Sequence, residues 1–178
     1  MADGATGLDS NGGGGRIAAQ TTINSLVNDY HATPPGWDTT VALDRLIHAQ
    51  NTWLADHKRR FGNRASALTT LSALLLRGHR YTVAHVGDNR VYLLRGDDAD
   101  DDDDGTQLRQ GHALDQRDFA RLTRAIGLDD GVRVDSEQRE LRVGDRLLLT
   151  SDGVHDKLRA ERLGALPRKQ VAALAPRP

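Results

Sequence analysis

There is no cysteine in the 178-residue sequence. Neither a disulfide framework nor a thiolate metal centre can therefore be built from it, and a reducing compartment suits such a chain. Oxygen and nitrogen are the ligand atoms that remain. Aromatic residues make up only 4%, so Leu, Val, Ala and Ile have to fill the core. No stretch approaches the roughly 20 apolar residues of a membrane-spanning helix. The opening MADGATGLDSNGGGG has no basic region followed by an apolar run, which leaves a soluble, cytoplasmic chain as the expectation. An excess of one charge is missing too: 24 Lys and Arg face 25 Asp and Glu, a net charge of −1. That balance gives no electrostatic reason to bind nucleic acid or an anionic membrane.

What is present is ordinary for a globular protein: 38% hydrophobic and 28% charged residues. The length fits a single domain, 1–178, that buries a core without staples. Residues 1–15 are Gly-rich and read as a loop. From Arg16 to Tyr30, Ile17, Ala18, Ile23, Leu26, Val27 and Tyr30 recur at three- and four-residue spacings and predict a helix. Pro34, Pro35 and Gly36 break it, and Thr39 or Thr40 is placed to cap a second helix over Val41–Arg60. In that helix Leu43, Leu46, Ile47, Ala49, Trp53 and Leu54 form the apolar stripe.

Short β-rich runs follow. ALTTLSALLLRG and RYTVAHVG, parted by Gly78 and His79, predict two strands, and VYLLR, after Gly87-Asp88-Asn89, predicts a third beside them in an antiparallel meander. Asp97 to Asp104, closed by Gly105, is an acidic hairpin loop over 97–105 that self-repulsion would keep solvated. QLRQGHAL reads as a return strand and turn. The stripe Phe119, Leu122 and Ile126 predicts a helix over Asp115–Ile126 ending at Gly127. Strands are expected at Val132–Val134 and Arg146–Thr150 around the turn Gly144-Asp145, and weak helices at Lys157–Leu166 and Arg168–Leu174.

Three acids sit beside glycine at turns or strand ends: Asp3 before Gly4, Asp88 after Gly87 and Asp152 before Gly153. Such pairs are common turn formers, so each alone says little. The seven histidines match no zinc spacing, and His48 and His57 belong on a helix surface. His85 and His112 are weak structural candidates. Gly12–Gly15 before a helix could cradle an anion, let the backbone approach a metal or serve as a linker. No Lys-Ser/Thr follows, so it is not a P-loop. The acidic tract lacks the alternating ligands of an EF-hand.

In their contexts these acids carry a resemblance. AHVGDNRVYLLR, GDRLLLTSDGVHDKL, ALTTLSALLL, LTRAIG and the opening ADG with GGGGRIAAQTTINSLV occur in the order of the motifs of PPM-type (protein phosphatase 2C-like) metal-dependent Ser/Thr phosphatases. The chain is most similar to bacterial members fused to a protein kinase. The resemblance implies an α+β, αββα four-layer sandwich of two antiparallel sheets flanked by helices, here lacking the first hairpin and the last strand. It also implies two Mn or Mg ions, with a third bound more weakly. Asp3 would give a carboxylate, Gly4 its carbonyl, Asp152 a ligand to the second ion and Asp88 a ligand to the third, with residues 1–15 as the metal loop. A metal-bound water would then attack a phosphoserine or phosphothreonine of a phosphoprotein. Where some members supply a proton from a His after Asp-Gly, this chain has Ala5. The alternative function is a non-catalytic module that binds a phosphoprotein or regulates an attached kinase.

Overall fold

The computed structural model describes residues 1–6, 13–61, 67–96, 106–111 and 124–155. Their contacts divide them into two compact units. The first holds the described residues up to Asn89 together with 124–141, and the second holds 90–96, 106–111 and 142–155.

Among the described residues two helices belong to the first unit. Helix α2 (Thr39–Phe61) starts one residue after Asp38, whose Oδ1 accepts the backbone N–H groups of Thr40 and Val41 at 2.9 and 3.1 Å. The cap is therefore Asp38 and not Thr39 or Thr40. A carboxylate satisfies two orphan donors and also favours the positive end of the helix dipole. Ala42, Leu43, Ile47 and Leu54 are buried as the stripe requires. Trp53, counted on that stripe, is 49% exposed and stacks on His57 with ring centres 5.4 Å apart.

Helix α1 (Gly13–Ala32) begins three residues earlier than Arg16, inside the glycine run. Its buried face passes through Ala18 and Thr22, while Ile17 and Val27 are 60% and 50% exposed. Leu26 and Tyr30 of the expected stripe pack against the core as Ala18 does, and buried Gln50 of α2 donates to Thr22 Oγ1 at 3.4 Å. At the far end Thr33 closes the helix, its N–H donating to Tyr30 O at 3.0 Å and its hydroxyl to Asp29 O at 2.9 Å.

Among the described residues there are three strand systems, all antiparallel. β1 (Gly4–Thr6) pairs with β2 (Ala67–Thr69), so part of the stretch read as loop is a strand. β3 (Leu71–Arg77) pairs with β4 (Arg80–Val86) around Gly78, which has φ +60°. β4 pairs on its other side with β7 (Asp135–Glu140). In the second unit the order is β6-β5-β8, from Thr106–Gly111, Arg90–Gly96 and Arg146–Thr150.

Two of the expected strands are placed differently in the structure. β5 does not extend the β3-β4 meander: the turn after Val86, with Gly87 at φ +112°, sends the chain into a different sheet. The strand expected at Val132–Val134 lies instead at Asp135–Glu140, and Val132 and Val134 pack against the core just ahead of it. That core gathers Ala18, Leu43, Ile47, Leu54, Leu71, Ala84, Val86 and Ile126. Residues 124–126 are not helical, and Ile126 exchanges hydrogen bonds with Thr69. The rest of the helix expected at 115–126 lies outside the described residues, as do the acidic tract and both helices expected after 156.

Candidate metal centre

The residue around which the site is built is Thr70, in the one-residue break between β2 and β3. The Asp3 carbonyl accepts from Thr70 N–H and from Thr69 Oγ1, both at 2.9 Å, and from Thr70 Oγ1 at 3.3 Å. Asp3 N–H faces the same Thr70 hydroxyl at 3.3 Å. From the other direction Asn89 Nδ2 donates to Thr70 Oγ1 at 2.9 Å. Gly87 packs on the threonine so closely that a Cβ there would lie 2.5 Å from Thr70 Cγ2. Its positive φ and this contact both demand glycine. The Asp3-Gly4 segment and the Gly87-Asp88-Asn89 turn thus abut one threonine from two sides.

Gly4 has its own reason to be glycine. A Cβ at this position would sit 2.1 Å from Gly15 O and 2.8 Å from Arg16 N. β1 therefore crosses the first turn of α1 in direct backbone contact, which requires small residues where the two meet. Gly13–Gly15 form the first turn of α1, and Gly15 is the residue that β1 meets there.

His85 braces the turn from beneath. It is buried; its Nε2 donates to Gly87 O at 2.9 Å, which leaves Nδ1 to accept from Ser72 Oγ at 2.9 Å. Burial pushes this imidazole below its ordinary value, against smaller opposing pulls from the Gly87 bond, Asp135 and Asp88, so it is the neutral form that holds the turn. Both ring nitrogens are used within the fold, which gives His85 a structural role. Asp135, nearby, pairs with Arg124 at 2.9 Å. His112 lies outside the described residues.

Asp88 itself is exposed at the tip of this turn. Asp152 belongs to the second unit, where it opens the short helix α3 (Asp152–His155) directly after β8 and its Oδ1 accepts Gly153 N–H at 2.6 Å. Of the four residues expected to bind metal, Asp3, Gly4 and Asp88 belong to the first unit, in the two segments that meet at Thr70. Among the described residues no three of His, Cys, Asp and Glu cluster tightly enough to form a protein-only cation cage. A hard cation that keeps several waters needs only one or two carboxylates, and a carboxylate beside a backbone carbonyl suits Mg²⁺ or Mn²⁺ in that mode. Asn89 Oδ1, buried and without a hydrogen-bond partner among the described residues, is a further oxygen here that lacks a donor. The donor set of Asp3 and Gly4 therefore fits a hydrated cation. Thr70 and Asn89 escaped the sequence reading; the only signal was that Asn89 follows Asp88 in the same turn.

Residues 1–176 match the family described as Protein phosphatase 2C. The serine/threonine protein phosphatase PstP of Mycobacterium tuberculosis is 32% identical over 176 residues, covering 92% of this chain and 34% of the relative. The chain thus spans about a third of the length of the curated relatives it matches. The solved PstP catalytic domain in complex with two manganese ions superposes with a TM-score of 0.74 at 30% identity, over 97% of this chain and 75% of that one. The phosphatase Stp1 of Staphylococcus aureus gives 0.74 at 20% identity over 90% and 72% of the two chains, a likeness of fold alone. With antiparallel sheets and helices in an α+β fold, ordered Asp-Gly motifs and a match along nearly its whole length, this chain belongs to the protein phosphatase 2C family.

Proposed function

We propose that the chain hydrolyses phosphoserine and phosphothreonine in proteins with the help of Mn²⁺ or Mg²⁺. The observation that carries this reading is the convergence of Asp3-Gly4 and the Asp88 turn on Thr70. Family membership supports it, as does PstP, crystallised with two manganese ions. Asp3 and Gly4 would hold one cation, Asp152 would serve a second and Asp88 a third, weaker one. The bound ions would supply Lewis-acid charge and an acidified water for attack on phosphorus.

The chain's own part is preorganisation. The Asp3 carbonyl is fixed by three hydrogen bonds, so its carboxylate departs from an anchored backbone. Gly4 keeps β1 against α1, and His85 holds the carbonyl of the turn that presents Asp88. A ligand held this way loses little freedom on binding, the condition under which fixed charges act most strongly on a reacting group. The partners would be a phosphoprotein substrate and a protein kinase, fused or separate, that phosphorylates it. We place the protein in the cytoplasm; among the described residues no helix is long and apolar enough to cross a membrane.

The test is phosphate release from a phosphothreonine peptide with Mn²⁺, after chelation, and for Asp3→Asn and Asp152→Asn. Turnover should vanish on chelation and fall at least ~100-fold in each variant, in line with the loss of a charge-stabilising group. Turnover that survives chelation would refute the reading. Ala5, standing where some family members keep a proton-donating His, favours a second reading, a module that binds a phosphoprotein without hydrolysing it. Tight binding of the peptide with no turnover at saturating Mn²⁺ would establish that alternative.

A further inference from the structure

Asn89 is 2% exposed, and only half of its carboxamide is used. Nδ2 donates to Thr70 Oγ1 at 2.9 Å, while Oδ1 has no partner among the described residues. Buried side-chain oxygens rarely stay without a donor, so this one calls for an explanation. Thr70 Oγ1 has one proton to give and two lone pairs. Nδ2 occupies one lone pair, and this orients the hydroxyl so that its proton points to the Asp3 carbonyl 3.3 Å away. Without Asn89 the hydroxyl keeps only the Asp3 N–H at 3.3 Å as a donor, and its bond to the Asp3 carbonyl is less well directed.

We propose that Asn89 is a positioning residue for cation binding: through Thr70 it fixes the backbone from which Asp3 reaches the metal, and its free Oδ1 accepts a hydrogen bond from water brought in by the cation. This rests on the reading of Asp3 as a cation ligand. Water on a cation acts as a donor, so neutral acceptors beside it lower the cost of holding it, and removing such outer partners weakens metal binding by about 10- to 100-fold. Metal-free protein gains nothing from Oδ1. Asn89→Leu removes the orphan oxygen along with the Thr70 bond, so the metal-free protein should unfold at nearly the same temperature while its cation affinity falls.

Calorimetric titration with Mn²⁺, beside thermal unfolding in chelator, tests this on wild type, Asn89→Leu, Thr70→Val and Thr70→Ser. Asn89→Leu and Thr70→Val should bind Mn²⁺ about 10- to 100-fold more weakly, and Thr70→Ser, which keeps the hydroxyl, should restore affinity to within a few-fold. A merely structural role would give the reverse pattern, a lowered unfolding midpoint with unchanged Mn²⁺ affinity, and would overturn the proposal alone. Failure of the wild type to bind Mn²⁺ would overturn the reading of Asp3 and this inference with it. Should Asn89→Leu not fold, the Thr70→Val and Thr70→Ser pair decides.

Discussion

Asn51 offers a sharp energetic test. It is 1% exposed in the middle of α2, and its side chain holds the segment Gly127–Asp130 with three hydrogen bonds. Oδ1 accepts Gly127 N–H at 2.8 Å, and Nδ2 donates to the carbonyls of Asp129 and Asp130 at 3.0 and 3.2 Å. In Asn51→Leu, which keeps the branching and number of side-chain heavy atoms, the buried Gly127 N–H is left without a partner, at a cost of about 1–3 kcal/mol. The two carbonyls belong to exposed residues that water can reach, so each loses only the net worth of a hydrogen bond, about 0.5–1 kcal/mol. Leucine recovers part of this by burying more apolar surface. The other ties on the loop do not compensate: Arg59 with Asp130 is an exposed ion pair, worth little in water.

The expected loss is about 3 kcal/mol, a large share of the 5–15 kcal/mol typical of a domain. For a chain of this size it corresponds to a fall of roughly 6–12 °C in Tm. Urea unfolding followed by tryptophan fluorescence reads the right region, because Trp37 and Trp53, the only two tryptophans, both lie in the first unit. The midpoint should drop at constant slope. Asn51→Asp, which keeps the acceptor for Gly127 but turns a charge on two carbonyls, should be no less damaging. A loss below about 0.5 kcal/mol for Asn51→Leu, the range of ordinary surface changes, would refute the clamp as a source of stability.

Two further outcomes follow from the site. Because burial depresses His85 below its ordinary 6.5, the unfolded chain binds its proton more readily than the folded one. Its stabilising contribution is complete above about pH 6.5 and is lost as pH falls from there through the lowered folded value; urea midpoints at pH 7.5 and 5.5 should differ less in His85→Gln than in wild type. Gly87→Ala combines a strained φ of +112° with a Cβ 2.5 Å from the Thr70 methyl, and about 2–4 kcal/mol of destabilisation is expected from strain and overpacking together. An unchanged melting temperature in that variant would show that the turn and Thr70 are not in hard contact.

Much of this architecture is legible in the sequence where burial follows a simple period. α2 and β8 lie where the apolar spacing puts them, because Leu43, Ile47, Leu54 and Leu148 face the interior on one side of their elements. β7 is not legible: Asp-Ser-Glu-Gln-Arg-Glu has no apolar alternation, and it becomes a strand only because β4 offers it an edge. The passage of β5 into another sheet is equally hidden, since a Gly-Asp-Asn turn can close a hairpin or leave one. At the site, Asp3, Gly4 and Asp88 are visible as turn acids with glycine. Thr70 is not, because a threonine in a β-rich run looks like any other until its three-dimensional neighbours are known.

The β4-β7 pairing also bears on how the chain is made. On the edge away from β3, Arg80 to His85 pair with Glu140 back to Asp135. On a ribosome, β4 must wait with one edge bare while about 50 more residues are added, roughly 3–10 s at ordinary elongation rates. An uncovered strand edge for that time is an invitation to wrong pairing. Synonymous changes that slow translation between the codons for Val86 and Asp135 should therefore lower soluble yield without altering a single side chain.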